Sequence, residues 1–363
     1  MLHMADYVHA RMILSLLVFP IFQASWSQGQ AVPAIFVFGD SFVDVGNNNY
    51  LPLSLAKANF PHNGIDFPAH IATGRFSNGK NIADFIAEKV GLPSSPPYLS
   101  LGSASGVSYL TGVNFASGGA GILNPKNPLD TQSVPLCKQV QQYLEVQQGL
   151  TQHLGSSGAQ KHLSKSLFFI SFGSNDILAY SGSSDLRMTP LQEYVAQMAT
   201  TLKAQLKTIY VHGARKFVVV GLPPIGCCPS QRIKNTTRGC REDSNTWSLF
   251  FNDALTSLLQ ELKSELGNMT YSYGHSYPIV KSFIENPSAH GFREVKAACC
   301  GLGDLNAQIA CLPVSQHCSN RGDHLFWDLF HPTEAAAGLY VDYIYDGPSQ
   351  YASPINVRQL TAI

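Results

Sequence analysis

The strongest constraint on the fold is a set of short apolar runs that have no polar face. The first is Ala34 to Phe38 (AIFVF); others occupy Gly112 to Ala116, Ser166 to Phe172, Lys216 to Gly221 and, more weakly, Met269 to Tyr273. A strand with one face in water alternates apolar and polar residues, whereas a run apolar throughout belongs to a strand covered on both sides. Between these runs the period changes. Leu191, Tyr194, Val195, Met198, Leu202, Leu206 and Ile209 recur at steps of three and four, as do Phe251, Ala254, Leu255, Leu258, Leu262 and Leu266. That is the stripe of a helix with one buried face. Asn81 to Val90 and Thr333 to Tyr345 read as two more helices. Strands alternating with helices join by right-handed crossovers, which predicts an α/β chain: a mainly parallel five-stranded sheet inside three α/β/α layers.

The N-terminus stands outside this pattern. Arg11 precedes the uncharged run Met12 to Phe22, and small residues follow at Ala24, Ser25 and Ser27, the order of a secretory signal. The run falls short of the about 20 apolar residues a membrane span needs. We therefore expect residues 1–27 to be a signal peptide, residues 28–363 to form one domain, and the mature chain to be secreted without a transmembrane anchor. Acceptor sequons at Asn235 and Asn268 fit such a route, whereas the proline in Asn286-Pro287-Ser288 blocks a third. Lys plus Arg and Asp plus Glu are equal at 24 each. With no basic surplus to meet a phosphate backbone, a dedicated nucleic-acid binder is excluded.

Eight cysteines lie at Cys137, Cys227, Cys228, Cys240, Cys299, Cys300, Cys311 and Cys318. There is no C-x-x-C pair and no H-x-H or H-E-x-x-H, so nothing has metal-ligand spacing, and no metal or cofactor is expected. Disulfides suit an oxidising compartment. Short spacing predicts Cys227 with Cys240, and Cys299 and Cys300 with Cys311 and Cys318 in either order; the pairing of Cys137 and Cys228 stays open.

In parallel sheets the functional site lies at the carboxyl ends of the strands. The first run leads into Gly39-Asp40-Ser41, the second into Ser117-Gly118-Gly119-Ala120-Gly121 and the third into Gly173-Ser174-Asn175-Asp176, while Asp328 lies three residues before His331 near the C-terminus. This is the equipment for acyl transfer by a serine. A hydroxyl needs a base to take its proton; imidazole does so near neutral pH, and a carboxylate orients the ring. Ser41 is the candidate nucleophile, His331 the general base and Asp328 its partner, with Asp176 a rival for that place. The oxyanion needs donors, for which the amides of Ser41 and Gly119 and the side chain of Asn175 are candidates. Gly118 is open to the same role as Gly119, since both glycines suit a tight loop. Asp40 and Asp44, with Asn47 to Asn49, are expected to organise the loop after the first strand, and Phe326, Trp327 and Phe330 are candidates to line an acyl pocket. The chain contains no G-x-S-x-G elbow.

FGDSFVDVGNNN (Phe38 to Asn49), GVNFASGGAG (Gly112 to Gly121), GSND (Gly173 to Asp176) and FWDLFHPTE (Phe326 to Glu334) occur in that order. Together with TGRFSNGK, GLPPIGC, ACCGLG and INVRQL they resemble the blocks of the plant GDSL esterase/lipase family of SGNH hydrolases. The resemblance implies a flavodoxin-like fold and hydrolysis of carboxylic esters. It also implies Ser41 as nucleophile, His331 and Asp328 as its base and partner, and Gly119, by its spacing from Asn114, beside Asn175 in the oxyanion hole. Phe42 stands where the family name puts leucine, and Cys137 and Cys228 are additional. An acyltransferase with the same acyl-enzyme, or a retired lipid- or carbohydrate-binding protein, are the alternatives. The expected partner is a small-molecule, lipid or polysaccharide ester; oligomeric state is not legible.

Overall fold

A computed structural model describes residues 30–102, 109–125, 132–184 and 186–363. The expected signal segment, 1–27, lies outside them. Five strands, β1 (Ile35–Gly39), β2 (Gly112–Asn114), β3 (Leu167–Ser171), β4 (Lys216–Val220) and β5 (Thr270–Gly274), coincide with the five apolar runs. All four contacts among them are parallel, in the order β2-β1-β3-β4-β5. That is the flavodoxin-like order, which reverses direction between β1 and β3.

The helices are α1 (Ile82–Lys89), α2 (Leu136–Lys165), α3 (Ser174–Gly182), α4 (Leu191–Val211), the single turn α5 (Pro229–Arg232), α6 (Glu242–Glu265), α7 (Ser276–Glu285), α8 (Glu334–Asp346) and α9 (Val357–Thr361). They fall into two layers because side chains alternate across a strand. Phe36, Phe38, Phe168, Ile170, Phe217 and Val219 point into a core shared with α2, α4 and α6. Ile35, Val37, Leu167, Phe169, Val218 and Val220 point the other way, into a core shared with α1, α7 and α8. Both faces of β1, β3 and β4 thus meet helices, which is why their runs carry no polar face.

Outside the central ladder lie β6 (Glu294–Ala298), β7 (Cys300–Gly301), β8 (Gln316–His317) and β9 (His324–Phe326), which form two small two-stranded sheets. One correction to the expected five-stranded sheet is its sixth member, β10 (Ala352–Ser353), antiparallel to β5. At two residues it is too short to leave a sequence pattern. Disulfides join Cys227 to Cys240, Cys299 to Cys318 and Cys300 to Cys311, while Cys137 and Cys228 remain free. The last two bonds close around the buried Trp327. They therefore brace the segment that runs from β9 to His331, since Cys299 N–H donates to the Phe326 carbonyl and Cys300 N–H to that of Trp327.

Candidate active site

Ser41 leaves the end of β1 and Asn175 lies in the first turn of α3, directly after β3. These two strands flank the point where the strand order reverses, where the diverging loops of a doubly wound sheet leave a crevice. The turn at Ser41 is held from below. Gln139 of α2, fully buried, accepts from the Gly39 N–H at 3.0 Å and donates to its carbonyl at 2.8 Å.

His331 Nε2 lies 2.7 Å from Ser41 Oγ, and its Nδ1 lies 2.8 and 2.9 Å from the two carboxylate oxygens of Asp328. A carboxylate can only accept, so Nδ1 carries the proton and Nε2 presents its lone pair to the serine hydroxyl. Asp328 Oδ1 also accepts from the backbone N–H groups of Phe330 and His331, each at 2.9 Å. Burial by itself would raise the Asp328 carboxyl, but the neighbouring His331 and these donors outweigh it and hold it below the usual carboxylate value. It is ionised at neutral pH. The rings of Phe42, Phe76 and Phe330 stand 5.6, 5.0 and 6.1 Å from the imidazole and shield it from water.

Asp176 sits elsewhere. Its carboxylate accepts from the N–H groups of Ile122 and Leu123 at 2.9 and 3.0 Å, tying the glycine loop to α3. Asp44 accepts from Gly46, Asn47 and Gly118. Asn47 donates to the carbonyls of Asn114 and Ala116, and Asn48 to those of Ala56 and Gly118. These side chains lace the loop after β1 to the loop after β2.

The two glycines differ. Gly118 is buried, its N–H is taken by Asp44, and a Cβ there would meet the Phe76 ring at 2.6 Å. Gly119 is exposed in the left-handed region at φ 82°, and its N–H donates to no group among the described residues. The Ser41 N–H is likewise without an acceptor among them. Asn175 donates one amide hydrogen to the Ala120 carbonyl at 3.0 Å, which fixes the side chain and leaves its second hydrogen available.

One expectation needs adjustment. Trp327 does not face the site: its Nε1–H donates to Asn63 Oδ1 at 2.9 Å and its ring fills the space between the disulfides. Phe326 and Phe330 do border an apolar cavity there. The sequence reading also missed Gln139 and Phe76. Both lie far from the motif residues along the chain, and only Phe76, within TGRFSNGK, sits in a block that pointed to the family. Among the sequons, Asn268 is exposed, whereas the Asn235 amide donates to the carbonyls of Gly239 and Cys240 within the disulfide loop. No cluster of metal-ligating side chains occurs among the described residues.

Known proteins share much of this sequence. The family described as GDSL-like Lipase/Acylhydrolase matches residues 35–344. Two Arabidopsis thaliana proteins, each named a GDSL esterase/lipase, are 49% identical over 95% of this chain and 94% of their own length, and 40% over 88% and 90%. A crystal structure of phospholipase A1 from Streptomyces albidoflavus NA297 aligns over 86% of this chain and 97% of its own at 16% identity, with a TM-score of 0.32. With the family match spanning most of the sequence and the relatives covering nearly all of it, this chain belongs to the GDSL-like lipase/acylhydrolase family of carboxylic-ester hydrolases.

Proposed function

We propose that the chain is a secreted serine esterase that works through an acyl-Ser41 intermediate. The observation that carries this reading is the unbroken hydrogen-bonded line from Ser41 Oγ through His331 to the Asp328 carboxylate. Ser41 Oγ attacks the ester carbonyl carbon while its proton passes to His331 Nε2, and the ionised Asp328 stabilises the imidazolium. The carbonyl oxygen gains negative charge facing the N–H groups of Ser41 and Gly119 and the free amide hydrogen of Asn175. His331 then protonates the departing alkoxide, leaving acyl-Ser41 and an alcohol. Water repeats the attack with His331 as base, which releases the acid and restores the hydroxyl.

Secretion is supported by the signal pattern at residues 1–27 and by three disulfides, which persist in oxidising compartments. No helix among the described residues is long and apolar enough to cross a membrane. Residues 28–363 are proposed as one domain, with Asn268 the more accessible glycan acceptor. The reading is tested by turnover of p-nitrophenyl esters with and without an added alcohol. Ser41→Ala and His331→Ala should each lose activity while unfolding like the parent protein, and the free acid should dominate over a transfer ester. Retained activity in folded Ser41→Ala would overturn it.

A further inference from the structure

An apolar cavity of about 90 Å³ opens beside the reacting groups. Three of its lining residues, Phe42, Ser174 and Pro332, are the chain neighbours of Ser41, Asn175 and His331. From there it crosses the ends of β3 and β4, past Leu222 and Ile225, to Val280 on α7. No charged side chain among the described residues lines it, and two hydroxyls on its wall, Ser276 and Tyr340, bond to each other at 2.7 Å. Phe42 adjoins Ser41 at the end of β1, whereas Val280 stands on α7, which follows β5, the third strand from β1 in the sheet order.

Resting on the acyl-serine reading above, we infer that this cavity is the acyl pocket and that it selects short apolar acyl groups, with Val280 setting their length. The size follows from the volume. A cavity of about 150 Å³ takes a benzene ring of six carbons, so one of about 90 Å³ takes roughly three to four carbons beyond the carbonyl. An acetyl methyl leaves most of it empty. Each further methylene that enters is worth about fourfold in kcat/KM until the space is full. A long chain must leave through the mouth or force the packed wall apart, which close-packed interiors resist.

The test is a p-nitrophenyl ester series from acetate to palmitate, run on the secreted protein and on Ser41→Ala, Val280→Phe and Val280→Ala, with melting curves for each. In the parent, kcat/KM should rise about tenfold or more from acetate to butanoate, peak by hexanoate and be lower at palmitate. Val280→Phe should lower butanoate and hexanoate turnover about tenfold while sparing acetate, and Val280→Ala should move the optimum to longer chains. Ser41-dependent activity that is greatest on acetate or palmitate, or a folded Val280→Phe protein with an unchanged profile, would overturn the assignment. Ester hydrolysis that survives in Ser41→Ala would instead overturn the acyl-serine reading, and this inference with it.

Discussion

Asp40 is the most exposing single position at which to perturb the site's electrostatics. It sits beside Ser41 and is 1% exposed. Its Oδ1 accepts from the Phe42 N–H at 3.1 Å, while its Oδ2 is buried without a partner among the described residues. Burial dominates and pushes the carboxyl from 3.8 up to about 7, with Asp176 adding to the rise and the Phe42 N–H and His331 opposing it. In the unfolded chain the group ionises near its ordinary value, so between these limits the folded state holds a proton that the unfolded state has lost. Its stabilising contribution is therefore complete below about pH 4 and is lost as pH rises through about 7. At 1.36 kcal/mol per pH unit, a rise of about three units is worth ~4 kcal/mol over the whole window, of which ~3 kcal/mol falls between pH 5 and 8. Asp40→Asn keeps an oxygen for the Phe42 N–H and cannot ionise. Urea unfolding of both proteins across pH 5 to 8 should show the parent losing ~3 kcal/mol relative to the variant as pH rises. Parallel profiles, or a parent that gains on the variant, would refute the claim that this carboxyl is buried and only half partnered.

Three other outcomes follow from the geometry. Asn175→Ala should reduce kcat by roughly a hundred- to a thousandfold with KM little changed. Loss of its bond to Ala120 should cost only about 1 kcal/mol in stability, so a large fall in melting temperature with near-normal kcat would assign it to bracing alone. Asp328→Asn should reduce activity steeply by removing the negative charge and setting an NH2 donor in place of one of the two oxygens at His331 Nδ1–H, whereas Asp176→Asn should chiefly lower stability by leaving one of the Ile122 and Leu123 N–H groups without its acceptor; steady-state kinetics beside melting curves check the order. Non-reducing peptide mapping should recover Cys299–Cys318 and Cys300–Cys311, and replacing the first pair by serines should cost ~3 kcal/mol for a loop of this length, read by chemical unfolding.

The parts of the fold legible in the sequence are those where burial acts at every position or at one regular period. AIFVF and its counterparts became β1 to β5 because helices cover both faces of the sheet. The stripes from Leu191 and from Phe251 became α4 and α6. By contrast, α2 was not legible. Its glutamines dilute the stripe formed by Leu136, Val140, Tyr143 and Val146, one of them, Gln139, is itself buried to clamp Gly39, and Gly155 at φ 72° interrupts the helix. Ser41, Asp328 and His331 were legible because motif residues follow strand ends or share one tight turn. The choice between Gly118 and Gly119 rests on which amide Asp44 occupies, and the apolar cavity is assembled from four helices and several loops, so neither has a local signature.

The central claim is that Ser41 is the nucleophile activated through His331. Its most direct measurement is mass spectrometry of the protein after reaction with a fluorophosphonate, which forms a covalent bond only with an activated hydroxyl. A single adduct on the peptide containing Ser41, absent from Ser41→Ala and strongly slowed in His331→Ala, is the predicted result. Adducts on another residue, or equal labelling of the His331→Ala protein, would contradict it.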